Sequence, residues 1–401
     1  MTKRNSDSPG AERARALFLT PEAPYPLEGG GALRAASLFE YLADRYAVDV
    51  IVFREPGAPD PALLFPAESA RRIHVIDLPP HSGAPIARAT RNAGRLLRGI
   101  PPMLDRFSGF GAQVSSFIRE RTYAVAVIEH FWCAPYVEQV ARAAKVTVLD
   151  LHNVESVLHA RCSKNERLPM ALAHRGFSRA CLALEKKWLP RFDCLLAASP
   201  DDARRVDAIF PGARMQVYAN AIPAIAQPER AEQDVIAFSG NFAYPPNVSG
   251  TRFLVSKIWP GLRAQWPELT LRLIGKNADA VRAMVKADPR IQLTGRVANA
   301  VEALAAAKVV VAPLLAGSGT RLKIIEAWAA GRAVVSTRIG AEGLPAHDGE
   351  NILLADDPAK FAGAVSALLA SPVERARLGQ AGRALFELHF TWERVWETLD
   401  L

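Results

Sequence analysis

Cysteine is scarce in this chain. Its four cysteines, Cys133, Cys162, Cys181 and Cys194, are scattered and form no C-x-x-C pair, which argues against a zinc knuckle or a redox dithiol and fits a reducing, cytoplasmic setting. Long apolar runs are missing too. No stretch approaches the roughly 18 uncharged apolar residues of a membrane span, and the opening MTKRNSDSPGAERARALFLT holds an apolar run too short for a secretion signal. An acidic surplus is also absent. Lys plus Arg number 49 against 41 Asp plus Glu, a net charge of +8, which favours anionic partners. No basic tract is dense enough to indicate nucleic acid, so none is expected as a partner. Three chemical signatures are lacking as well: the dinucleotide fingerprint G-x-G-x-x-G, the zinc motif H-E-x-x-H and the nucleophile elbow G-x-S-x-G.

What is present is a double alternation of strand and helix. Half of the 401 residues are hydrophobic and 22% are charged, as in a globular chain of two or three domains. Strands are expected at 16–20, 48–53, 73–78, 124–129, 146–151, 194–198 and 215–218, with helical stretches between them, the clearest at 172–189. The segment AIPAIAQPERAEQD at 221–234 has two prolines, charges and little periodicity, and reads as a linker. A second series follows, with strands at 235–239, 271–274, 291–294, 309–313, 333–336 and 352–354 and helices at 321–330 and 359–369. The expected fold class is α/β: two doubly wound, Rossmann-like domains facing one another across a cleft.

Ligands of such sheets bind at the carboxyl ends of the strands, and several residue groups fall there. After the strand at 309–313 comes the small-residue loop Gly317-Ser318-Gly319, then Thr320 as a cap for a helix starting at Arg321. A helix start of this kind suits a phosphate. Arg321 and Lys323 oppose the helix dipole there and call for an anion, and Glu326 is placed one turn below to accept hydrogen bonds from ribose hydroxyls. An ordinary capped helix with a Lys323–Glu326 ion pair explains the same residues. Gly29-Gly30-Gly31, after the first strand, lets backbone approach a ligand closely, or is a plain flexible turn. His152 and Asn153 directly follow the strand at 146–151. No histidine shows metal-ligand spacing, so no metal site is expected.

The phrases APYPLEGGGALRAASLFEYLA, LDLHNVES, CLLAASPDDA, AFSGNFAYPPN, LRLIGK, IQLTGRV and GSGTRLKIIEAWAAGRAVVST, in that order and spacing, resemble a glycosyltransferase of the GT-B fold, of the retaining family 4 type. The resemblance implies a disordered tail (1–14), an acceptor-side domain (15–222), a linker (223–234), a nucleotide-sugar domain (235–380) and a C-terminal helix (381–401) returning to the first domain. It also implies a nucleoside-diphosphate sugar as donor, a saccharide or lipid-linked acceptor, no metal or other cofactor, and retention without a protein nucleophile. Glu326 matches the glutamate that binds the donor ribose, and Gly295-Arg296-Val297 the loop at the base. His152 matches the histidine touching the donor sugar, Gly29, Gly30 and Gly31 the loop near the diphosphate, and Gly240-Asn241 the turn after the second domain's first strand. Ser318 stands where the family has its first glutamate, and residues 240–247 lack the Arg and Lys of many relatives. Arg321 and Lys323 are expected to supply that charge. A degenerate binding protein, or a nucleotide-sugar epimerase on the same fold, are the alternative readings.

One further helix is expected over 85–99. Arg88, Arg91, Arg95 and Arg98 fall within about 80° of one face, with Ile86, Ala89, Ala93, Leu96, Leu97 and Ile100 opposite. The pattern suits either peripheral attachment at the anionic inner membrane face through the arginines, or a surface helix packed on the protein by its apolar side.

Overall fold

The computed structural model describes residues 13–166, 168–317 and 321–401. Every expected strand is present, with ends shifted by two residues at most. β1 (Arg15–Thr20), β2 (Ala47–Arg54), β3 (Arg72–Asp77), β4 (Tyr123–Glu129), β5 (Ala144–Leu151), β6 (Cys194–Ala197) and β7 (Met215–Val217) form a sheet in the order β3-β2-β1-β4-β5-β6-β7. β8 (Gln233–Ser239), β9 (Thr270–Ile274), β10 (Ile291–Gly295), β11 (Ala307–Ala312), β12 (Val334–Ser336) and β13 (Leu353–Leu354) form another, in the order β10-β9-β8-β11-β12-β13. All the strand pairings in both are parallel. These are the two doubly wound domains of the expected fold class.

A parallel sheet is covered by helices on both faces, so its strands are apolar throughout. In β1, Ala16 and Phe18 enter one core while Leu17 and Leu19 enter another on the opposite face. In β8, Ala237 and Ile236 divide in the same way. The first of these cores is shared between domains: it runs from Phe39 and Leu42 through Tyr218 and Ile222 to Trp328, Phe386 and Trp392. The chain leaves β7, crosses to the second sheet, and comes back. Ile222 N–H donates to the Phe390 carbonyl at 3.1 Å, and Trp392 N–H donates to the Ile222 carbonyl at 3.1 Å. The final residues then lie on the first domain, where Tyr41 Oη–H donates to the Leu399 carbonyl and Trp396 Nε1–H to the Ser37 carbonyl, both at 3.1 Å.

In both sheets the order reverses beside the first strand, between β1 and β4 and between β8 and β11. The carboxyl ends of these strands open crevices. β8 and β9 end so close together that a Cβ on Gly275 would lie 2.0 Å from the Gly240 carbonyl oxygen.

Two expectations need correcting. The helix at 321–330 begins one residue later, as Leu322–Ala329, with Arg321 outside it. The helix Pro85–Arg98, closed by left-handed Gly99, does not pack on the protein by its apolar side. Asp105 accepts from Arg95 Nε at 2.8 Å and from Arg98 Nη2 at 3.0 Å, and the Ser82 carbonyl accepts from Arg91. Arg95 is therefore buried against the protein while Arg88 and Arg98 stay exposed at the two ends of the helix, and Ile86, Ala89, Ala93 and Leu97 face solvent. Residues 1–12 of the tail, and Ser318, Gly319 and Thr320 of the small-residue loop, lie outside the described residues.

Candidate active site

The ends of β4 and β5 carry a buried charge cluster. Arg34, on the helix Gly30–Arg45, donates to both oxygens of Asp150, Nε to Oδ2 at 2.8 Å and Nη2 to Oδ1 at 2.5 Å. Its Nη1 donates to the Tyr218 carbonyl at 2.6 Å and to Asn220 at 3.0 Å. His152 Nε2 lies 3.2 Å from Asp150 Oδ2 and 3.1 Å from Glu129 Oε2. Burial favours the uncharged carboxyl of Asp150, but the Arg34 charge and His152 outweigh it and hold the group far below the carboxylate range. Burial depresses the His152 imidazole, yet the Glu129 charge and the hydrogen bonds it donates to both carboxylates raise it to about 9. His152 is therefore an imidazolium at neutral pH. His130 is pushed well below its ordinary value by burial and then by the His152 charge, so it is neutral.

The two histidine rings lie with centroids 3.5 Å apart and planes tilted by 30°, and His130 stacks on Trp132 at 3.9 Å. His130 sits at φ 63°, left-handed backbone that costs a non-glycine residue roughly 1–2 kcal/mol. Such strain concentrates at functional sites. The donor atoms of Glu129, His130 and His152 lie within 4.8 Å of one another, close enough to share an ion. His152 Nε2, however, already faces two carboxylates.

The glycine turn separates two cavities. Gly31 lines a small one with Glu129 and His130. Gly29 lines a cleft of about 270 Å³ with Leu33, Ile225, Val297, Asn299 and Glu326. Gly29, at φ 92°, precedes the helix Gly30–Arg45, whose start has no side-chain cap, so first-turn N–H groups are available to an anion. The second domain comes close here: a Cβ on Gly30 would meet Leu322 at 3.7 Å, and one on Gly29 would meet Lys276 Cε at 4.0 Å. Glu28 pairs with Arg296 across the gap at 2.8 Å.

On the other wall, Glu326 is 9% exposed. Burial raises its carboxyl to about 7 against the opposing Lys323 charge. Burial and then the Arg321 charge lower the Lys323 amine to about 8. Buried Ser239 lies beside Glu326 at the end of β8.

The structure thus brings Gly29, Val297 and Glu326 to one cleft, with Lys323 three residues before Glu326 on the same helix. It places other expected residues elsewhere. Arg321 is buried, with its guanidinium against Gly317, and donates to the Ile339 carbonyl from Nε at 3.3 Å and Nη2 at 3.1 Å, with Glu342 3.9 Å from Nη2. Asn241 ties its own turn together, accepting from Ala243 N–H at 3.0 Å and Asn277 Nδ2 at 2.8 Å. Gly240 gives room to Asn247, whose Nδ2 would lie 2.7 Å from a Cβ there. Arg296 spends its charge on Glu28.

A second cross-domain contact lies at the rim. Arg161, on the helix Glu155–Asn165, donates from Nη1 to the Gly317 carbonyl at 2.6 Å and from Nη2 to Glu342 at 2.9 Å. Arg205 Nη2 donates to the same carboxylate at 2.6 Å. Burial would raise Glu342, but the two arginines hold it near 2. Leu158, Cys162 and Ala316 pack beside it, against Tyr244.

Sequence reading missed Arg34, Arg161 and Glu342, and gave no role to Glu129 and Asp150. One signal was there: Arg34 interrupts the apolar face of GALRAASLF, and Asp150 interrupts that of VTVLDL. Charges on faces that must be buried need partners.

Two facing doubly wound domains with a cleft between their strand ends are the GT-B architecture, and residues 233–371 match the family model described as glycosyl transferases group 1. The chain is 22% identical over 368 residues to an uncharacterized 44.6 kDa protein in the cps region of Klebsiella pneumoniae, covering 87% of this chain and 89% of that one. Its fold is similar to sucrose-phosphate synthase from Thermosynechococcus elongatus (TM-score 0.73, 18% identity, 96% of each chain). It is also similar to Anabaena HepE in complex with UDP and glucose (TM-score 0.65, 16% identity, 96% of this chain and 97% of that one).

Proposed function

We propose that the protein is a retaining glycosyltransferase that moves a sugar from a nucleoside diphosphate to a saccharide or lipid-linked acceptor. The observation that carries this reading is Glu326, a buried carboxylate facing an interdomain cleft opposite an uncapped helix start. In this reading Glu326 accepts hydrogen bonds from the donor ribose, and the base lies against Val297. The diphosphate meets Lys323 and the N–H groups after Gly29. The His152 imidazolium, locked by Asp150 and Glu129, presents fixed positive charge toward the sugar. Departure of the diphosphate builds negative charge, and preorganised N–H groups and cations lower that barrier without reorganising. No residue is assigned as nucleophile and no metal is invoked. The complex of HepE with UDP and glucose makes UDP the first base to try, and the cps-region relative supports a role in surface polysaccharide synthesis.

Thermal shift with UDP, GDP and ADP, beside NAD, tests the site. One diphosphate should stabilise the wild type by roughly 2.7 kcal/mol at a hundred times its Kd, and Glu326→Ala should lose most of that shift. Stabilisation by NAD alone, or an equal shift in the variant, contradicts the assignment. A second reading, nucleotide-sugar binding without turnover, rests on Ser318 at the position of the resemblance's first glutamate. It predicts the same shift but no transfer of labelled sugar to any glycan or lipid-linked acceptor.

A further inference from the structure

The outward face of the helix Pro85–Arg98 carries no charge. Because its arginine side is held by Asp105 and Ser82, the residues turned to solvent are Ile86, Ala89, Thr90, Ala93 and Leu97, with Ile86 80% and Leu97 90% exposed. Solvent normally selects charged or polar residues on such a face. The face is not isolated. A Cβ on Gly176 would lie 2.9 Å from Leu96 Cδ2, so this helix meets the helix Met170–Trp188. One turn before Gly176, Leu172 is 58% exposed, and Leu168 and Met170 just before it are exposed too. Of the twelve exposed large apolar residues among the described residues, eight fall on or beside these two helices, so the exposure is concentrated in one region.

The exposed charges on the two helices have one sign. The helix Pro85–Arg98 has no acidic residue, and Met170–Trp188 has only Glu185, which is buried. The exposed ionic side chains on the two helices are Arg88, Arg98, Arg175, Arg179, Lys186 and Lys187. An apolar face on two helices whose exposed charges are all cations fits a surface with an apolar interior and an anionic margin, which is a bilayer rich in acidic lipid.

We propose that this face docks the protein onto an anionic membrane, with Ile86, Leu97, Leu168 and Leu172 entering the acyl boundary and the flanking arginines and lysines at the headgroups. Contact is thus made by the apolar side of the helix, and Arg95 serves to fix that orientation. The helix Glu155–Asn165, which brings Arg161 to the rim of the cleft, packs directly on Met170–Trp188. The docked face and the cleft are therefore one helix apart.

Vesicle flotation of the full chain tests this. The wild type should float with phosphatidylglycerol-containing vesicles and much less with phosphatidylcholine alone. Ile86→Ser/Leu97→Ser/Leu172→Ser should cut partitioning at least tenfold with an unchanged melting temperature, since these side chains are exposed. Arg88→Ser/Arg175→Ser/Arg179→Ser should remove most of the dependence on acidic lipid and on salt. Flotation of the apolar triple variant equal to wild type, or no flotation of the wild type, overturns the proposal. So does a wild-type dimer in lipid-free buffer that the apolar triple variant converts to monomer, because the face would then be a protein interface.

Discussion

Glu155 and Glu185 lie under the loop that carries His152, and both are buried carboxyls raised to about 7. Burial is the main cause in each case, with the Glu185 charge adding to the shift of Glu155. Glu155 accepts from Trp132 Nε1–H at 3.2 Å and Glu185 from Ser156 N–H at 3.0 Å. A carboxyl whose folded value lies above its unfolded one holds its proton more tightly when folded, so its ionisation destabilises the protein as pH rises from about 4.5 toward 7. Glu185→Gln removes that cost. The variant should gain up to about 3 kcal/mol at pH 8 and almost nothing at pH 4, read as the difference in melting temperature between the two pH values. A gain of the same size at both would show that burial of the charge is not what the site bears. None of this was legible beforehand. Glu155 read as part of a motif and Glu185 as one position of a long helix, and only packing shows that both point inward.

At the scale of elements, the strands were readable because a strand buried on both faces must be an apolar run, as VVVA at 309–312 and VIAFS at 235–239 are. Orientation of the helices was not. Pro85–Arg98 has two faces of comparable size, and the choice between them was made by Asp105, on the next short helix (Pro102–Arg106), which captures Arg95 and Arg98. The fate of Arg321 was set likewise by Ile339 and Glu342, well along the chain. Close approach of backbone was half-legible: glycines at 240 and 275 stand at strand ends, but their mutual contact depends on the pairing of β8 with β9. Gly275→Ala, with its Cβ 2.0 Å from a carbonyl oxygen and φ at 139°, should destabilise the second domain by about 3 kcal/mol or more. Urea denaturation checks this, and a loss below 1 kcal/mol would mean the two strand ends are not held this close.

For the whole molecule, the cross-domain contacts define how the cleft is closed. Glu342 is the common acceptor for Arg161 and Arg205 of the first domain, while Glu28 and Arg296 bridge the opposite rim. The half-buried pairs of Glu342 contribute about 1.5–3 kcal/mol each, and the exposed Glu28–Arg296 pair no more than about 1 kcal/mol. Glu342→Ala should therefore favour an open arrangement, seen as a larger radius of gyration by small-angle scattering and a faster release of bound nucleotide. An unchanged radius would place the hold on closure in the shared core around Ile222 and Trp392 instead.

The central claim is that the cleft binds a nucleoside diphosphate through an ionised Glu326 and a charged Lys323, and calorimetric titration with UDP and GDP across pH 5.5–9 tests it most directly. Glu326 protonates as pH falls through about 7, and Lys323 loses its charge as pH rises through about 8. Affinity should consequently peak between those values and decline on both sides, with Glu326→Gln losing the acid limb and Lys323→Met the alkaline one. Each variant should bind about ten- to a hundredfold more weakly at the optimum. A flat profile, or variants that bind like the wild type, would contradict the account.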